Sequence, residues 1–193
     1  MWRWLPLLGL AMVYLKWFLL LLVGVPFELF AKVLSPILAC FVGEDGYLPQ
    51  WLYWFQTPDN SCDGDAGHRA RWPRDGVFWT WMRRTAWLFR NSAYGFNYFV
   101  LGVQFKKGDL HWHEGNPEIG DLTGISGLCK WYMERGGKLI CFQIYYVRHY
   151  RIFGHWKCVR AGMGWKMWGD VESDPYCPHW VYFNPFKGSG LEK

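Results

Sequence analysis

From Trp4 to Val25 the chain is apolar at nearly every position, and Lys16 is the only charge. As a helix rising about 1.5 Å per residue, this stretch reaches roughly 33 Å, enough to cross a hydrocarbon core of about 30 Å. A central lysine costs about 3 kcal/mol on insertion, whereas each Leu, Phe or Val returns about 0.3–0.6, and about a dozen of them lie between Leu5 and Val25. Insertion survives the lysine. A signal peptide would have a shorter apolar core and a small-x-small cleavage site after it. Here Pro26 interrupts and Phe27 to Val42 continues apolar, with Glu28 and Lys32 at i, i+4 spacing on one helical face. The pattern predicts a spanning helix over residues 4–25, then an interfacial or re-entrant helix kinked at Pro36. Together they form an anchor over residues 1–43, with a full helical hairpin as the alternative. Trp4, Lys16 and Trp17 are the residues expected at the membrane.

Residues 44–187 read as one α+β domain, followed by a flexible tail over 188–193. Trp51, Trp54 and Phe55 have the i, i+3, i+4 spacing of one helical face, on the bilayer or on the domain. Asp75 is placed to cap a helix from Gly76 to Asn91, on which Val77, Phe78, Trp81, Thr85 and Leu88 form a stripe and after which Gly95 follows. Strands come next. Tyr98–Phe105 and Leu110–Glu114 flank a turn at Lys106-Lys107-Gly108-Asp109, and Cys129–Met133 and Lys138–Val147 flank Glu134-Arg135-Gly136-Gly137. Tyr150–Val159 and Gly164–Trp168 supply further strands. The fold class expected is α+β: N-terminal transmembrane or interfacial helices, then a small domain with an antiparallel β-meander.

Composition supports the anchor. Hydrophobic residues make up 51%, aromatics 21% with 15 Trp, and charged residues 19%, against about 25% charged in average chains. Indole and phenol rings suit the headgroup level of a bilayer, although a very aromatic soluble core would share the bias. The six cysteines include no CxxC pair, and the five in the domain show no regular spacing. That fits free thiols in a reducing compartment, hence a domain on the cytoplasmic side, which the positive-inside count also favours.

Three strings carry candidate chemistry. Asp59, Ser61, Asp63 and Gly64 match the first half of a calcium loop, with Asp65 beside them, but Ala70 stands where a bidentate Glu would be needed. The alternative is an Asx-type turn. His111 and His113 alternate onto one face of a predicted strand and could ligate zinc, though nothing fixes a third ligand. No cofactor is expected, and a divalent cation on Asp59, Asp63, Asp65, His111 and His113 is the exception weighed. Arg69, Arg71, Arg74, Arg83, Arg84 and Arg90 are opposed only by Asp75 and interleaved with tryptophans, including Trp72 and Trp81. Beside an anchor they are expected to meet anionic headgroups or a membrane-protein partner; nucleic acid is disfavoured, and a solvated face with snorkelling side chains is the plain alternative. No P-loop, GxGxxG or GxSxG motif occurs in a suitable context.

The string LPQWLYWFQTPDN at residues 48–60, followed by Gly64-Asp65, resembles a segment of small membrane-associated proteins of tailed bacteriophages. Gly164-Trp165-Lys166 and Asn184-Pro185-Phe186 extend the resemblance across most of the chain. It implies a phage product acting at the host inner membrane, and it transfers no activity. The expected function is a non-catalytic protein binding a host or phage envelope component, as in superinfection exclusion or envelope takeover. A membrane-bound metal-dependent hydrolase and a lysis factor are the alternatives.

Overall fold

The structure is a computed structural model that describes residues 7–167 and 175–191; Trp4, Trp168 and the last two residues of the expected tail lie outside the described residues. Its first element, α1 (Leu7–Leu38), is one continuous helix with Pro26 and Pro36 inside it. The expected break at Pro26 is therefore corrected. A proline removes one intrahelical N–H and orphans the carbonyl four residues earlier. For Pro36 that carbonyl belongs to Lys32, and the Ser35 hydroxyl donates to it at 2.8 Å. The helix tightens into a single 3₁₀ turn at Ala39–Phe41.

Compactness divides the chain into two units, and the division falls within α1 rather than at residue 43. One unit joins α1 up to Phe18 with the chain from Gly102 onward; the other is Leu19–Leu101.

The second unit is helical. After a 3₁₀ segment at Gln50–Phe55 come α2 (Ala66–Arg71), α3 (Val77–Arg90) and α4 (Tyr94–Phe99). Helix α3 matches the expected boundaries, but its N-cap is Gly76 at φ 112° with no capping side chain, so Asp75 does not cap it. Tyr98–Phe105, expected as a strand, begins as α4. Packing overrides the β preference of its aromatics there: Phe96 and Leu101 join Ala31 and Ala93 in a core bordered by Phe27 and Phe55. Gly95 is needed for this contact, because a β-carbon would sit 2.3 Å from the Tyr53 carbonyl oxygen. Asn97 Nδ2 donates to Glu28 of α1, and the Trp81 indole donates to the Pro36 carbonyl at 2.9 Å.

The first unit is built on a five-stranded antiparallel sheet of order β2-β3-β4-β5-β7: Leu110–Gly115, Gly127–Arg135, Lys138–Ile152, His155–Trp165 and His179–Gly188. A separate two-residue pairing joins β1 (Val103–Gln104) to β6 (Tyr176–Cys177). Leu110–Gly115 therefore pairs with β3 rather than forming a hairpin with the preceding segment. Residues opposite one another across strands share a face. Trp112, Tyr132, Phe142, Trp165 and His179 line up in this way, and α1 crosses them. Tyr14 and Trp17 meet the Phe142 ring at 4.2 and 6.1 Å, and Trp17 stacks on His179 at 5.9 Å. On the other face Ile119, Cys129, Tyr145, Val147 and Cys158 form a second core.

Candidate membrane-binding surface

Helix α1 is packed on one side only. In the sheet unit Val13 and Trp17 are buried while Met12, Leu15 and Phe18 are exposed. In the helical unit Ala31, Ser35 and Leu38 are buried, while Leu19, Leu22, Val23, Leu29, Phe30, Val33 and Ile37 are exposed. Steps of three and four residues through Met12, Leu15, Leu19, Leu22, Pro26, Leu29, Val33 and Ile37 keep these positions on one helical stripe. That stripe carries no charge. Lys16 lies over the Trp165 ring at 5.4 Å, Lys32 over the Phe89 ring at 6.0 Å, and Glu28 is engaged by Asn97. Over Gly9–Phe41 this helix is long and apolar enough to cross a membrane.

The helical unit adds more apolar surface. Phe41 meets Trp51 with ring centroids 6.0 Å apart, and Trp51 is 72% exposed. Trp54, Phe78 and Phe89 are also exposed. Large apolar side chains exposed in this number are unusual on a surface left in water.

The predicted residues divide. Trp17, expected at the membrane, is a core residue of the sheet unit. Of the arginines, Arg84 forks onto both Asp63 oxygens at 3.1 and 3.2 Å, and Arg83 reaches Oδ1 at 3.0 Å. Arg69 donates to the Gly64 carbonyl. Trp72 is half-buried, and Trp81 is tied to α1. Arg71, Arg74 and Arg90 remain at the surface, with Arg74 over Trp79 at 4.5 Å and Arg90 over Trp87 at 5.7 Å. The signal that separates them is Asp63: two of the six arginines serve a carboxylate twenty residues upstream, and linear spacing alone does not show that.

The acidic loop is occupied by the protein itself. Burial alone would raise the Asp63 carboxyl, but hydrogen bonds from Arg84 and Arg83 outweigh it and hold it below the usual range. Asp65 caps α2 by accepting from the His68 N–H at 2.7 Å, and Asp59 is exposed. His111 and His113 sit exposed on β2, in the sheet unit, with the Phe105 ring 5.1 Å from His111. Among the described residues no three His, Cys, Asp or Glu side chains are gathered to hold a metal ion.

The sheet unit has an open face. Beside the strip crossed by α1, the paired positions Lys130, Ile144, Met163 and Val181, then Leu128, Tyr146, Ala161 and Phe183, continue across four strands. Phe183 is 71% exposed, and Leu128 and Val181 about half.

The fold and this surface define an α+β protein with one long apolar helix and an antiparallel five-stranded sheet. A family model matches residues 10–190, and the chain belongs to that family, DUF7338, a family of unknown function. No curated protein and no solved structure matches the chain.

Proposed function

We propose that the chain is a non-catalytic, membrane-attached accessory protein that binds a host or phage envelope component. The observation that carries this reading is the uninterrupted apolar stripe of α1, opposite a face packed on protein. Leaving it in water is costly at about 25 cal/mol per Å², and a bilayer removes that cost without a protein partner. The phage setting at the inner membrane rests on the resemblance of residues 48–65. The cysteines agree with a cytoplasmic placement, since no disulfide joins any of the six. The open sheet face around Phe183 is the surface offered to the envelope component.

Flotation of lysed cells on a density gradient tests the attachment. The intact chain is expected in the membrane fraction after alkaline washing, and Leu22→Asp combined with Leu29→Asp is expected to shift it to the soluble fraction. A wild-type chain recovered in the supernatant without detergent overturns the proposal. A photo-crosslinker replacing Phe183 tests the partner: one discrete adduct in intact membranes is expected, and its absence removes the binding role.

A further inference from the structure

The longest hairpin of the sheet ends in an unusual apex. Strand β4 is paired with β3 only as far as Val147, and β5 is paired with β7 only from Lys157. Between those points Arg148–Trp156 runs out past both neighbours as a two-stranded ribbon, closed by Phe153-Gly154 between the paired residues Ile152 and His155. Its base is pinned. Tyr150 donates its hydroxyl to the Pro185 carbonyl at 2.6 Å, and the His149 ring lies 2.7 Å from the Ser189 hydroxyl and 3.0 Å from the Gly120 carbonyl.

The turn residues hold φ 49° at Phe153 and 84° at Gly154, the left-handed pair of a type I′ turn. That geometry selects Asn-Gly or Gly-Gly, and a bulky residue at positive φ is strained. The sheet contains its own comparison. The β3–β4 hairpin makes the corresponding two-residue turn with Gly136 at 56° and Gly137 at 78°. At the β4–β5 apex a phenylalanine occupies the first of these positions and is 94% exposed, with no core contact to compensate. Ile152 and His155 flank it as a pair, Trp156 and Arg151 form the next pair with the Arg151 guanidinium donating to the Gly154 carbonyl at 3.1 Å, and Arg148 and Lys157 stand further back on the hairpin. An exposed phenylalanine at the apex, with an indole and cationic side chains at and behind the next pair, suits an anionic bilayer surface, where rings favour the headgroup level and cations the negative surface.

We infer that the β4–β5 hairpin tip, Arg151–Trp156, is a second membrane contact that inserts Phe153 into an anionic bilayer surface. This rests on the membrane attachment proposed above. It gives the β-sheet a lipid contact apart from the stripe on α1. The ribbon reaches lipid as a preformed, pinned element, so insertion costs little ordering, and the arginines and Lys157 make it selective for negative headgroups. The strained turn is then kept for the side chain that it presents.

The full-length chain is reconstituted into phosphatidylcholine vesicles with and without phosphatidylglycerol. In a Cys40→Ser background, Phe153→Cys and, separately, Lys138→Cys at the opposite end of β4 carry an environment-sensitive fluorophore. The label at 153 is expected to lose iodide quenching severalfold and gain quenching by lipid-borne nitroxide on vesicles containing phosphatidylglycerol, while the label at 138 stays iodide-accessible. Phe153→Asn, read through a label in His155→Cys, is expected to leave the hairpin folded or firmer and to abolish the shielding. If the chain floats with vesicles while residue 153 stays as accessible to iodide as residue 138, the tip contact is overturned and the attachment through α1 stands. A chain that does not float removes both. Shielding by a single-stranded oligonucleotide and not by vesicles also overturns the contact, in favour of nucleic acid.

Discussion

Asp63 shows how much one side chain organises in the helical unit. Its carboxylate ties the loop after Gln56 to α3 through Arg83 and Arg84, both of which are mostly shielded from water. Gly64 follows at φ 81°, and a β-carbon there would meet the Trp87 ring at 2.6 Å. The His68 ring, 5.1 Å from that of Trp87, donates Nε2–H to the Arg83 carbonyl at 3.0 Å. The TPDN…GD string is thus a folding knot, which accounts for its distinctiveness without chemistry. Asp63→Asn leaves two partly buried guanidiniums without their anion and is expected to cost about 2–3 kcal/mol at neutral pH, read by urea unfolding in detergent. The acid response follows from the signs. Asp63 titrates below its unfolded value of about 3.9, so its contribution is complete above that pH and is lost as pH falls through the folded value. Burial also depresses His68 and His179, whose contribution is present above their unfolded value of about 6.5 and is lost as pH falls below it. Unfolding from pH 7 to 3 should therefore show two declining steps, the lower one reduced in Asp63→Asn but not abolished, because the Arg135 guanidinium also holds the Asp109 carboxyl below its usual range, and the upper one reduced in His68→Gln. A single step unchanged by both substitutions contradicts this account.

At the scale of elements, the sequence was most legible where local chemistry agreed with packing. Gly136-Gly137 between alternating strands marked the β3–β4 hairpin, and the stripe from Val77 to Leu88 marked α3. It misled where tertiary contacts outweighed local preference. Pro26 read as a break, yet α1 continues through it because its buried face is clamped by the aromatics around Phe27, and past Pro36, read as a kink, Ser35 replaces one missing donor. Tyr98–Phe105 read as strand, yet Gly95 lets α4 press on the Tyr53–Gln56 backbone and the segment's first residues are helical. The apolar stripe was visible as composition, but which side of α1 lay bare depended on partners distant in sequence. Ser35→Ala is the sharp test at this scale. The hydroxyl is buried and its loss strands the Lys32 carbonyl, so a cost of about 1–2 kcal/mol is expected by thermal unfolding in detergent. An unchanged midpoint indicates that the carbonyl finds another donor.

For the molecule as a whole, the cysteines report both packing and surroundings. Cys62, Cys129, Cys141, Cys158 and Cys177 are buried, and only Cys40 is exposed. Burial pushes the Cys62 thiol up to about 12 and also raises Cys129 and Cys158, so these thiols carry no appreciable thiolate at neutral pH. Cys40 follows Ile37 on the uncovered side of the helix, next to exposed Phe41. Its reactivity therefore depends on what covers that side, whereas the other five depend on the fold. In detergent, a charged maleimide is expected to modify one thiol rapidly, the reaction to vanish in Cys40→Ser, and the remaining five to react only on unfolding. In vesicles the same reagent should lose Cys40 as well, while a membrane-permeant maleimide should recover it, because the barrier there is lipid rather than packed protein. If Cys40 reacted with the charged reagent equally fast in vesicles and in detergent, this end of α1 would face water. The bilayer would then have to be contacted elsewhere along the stripe.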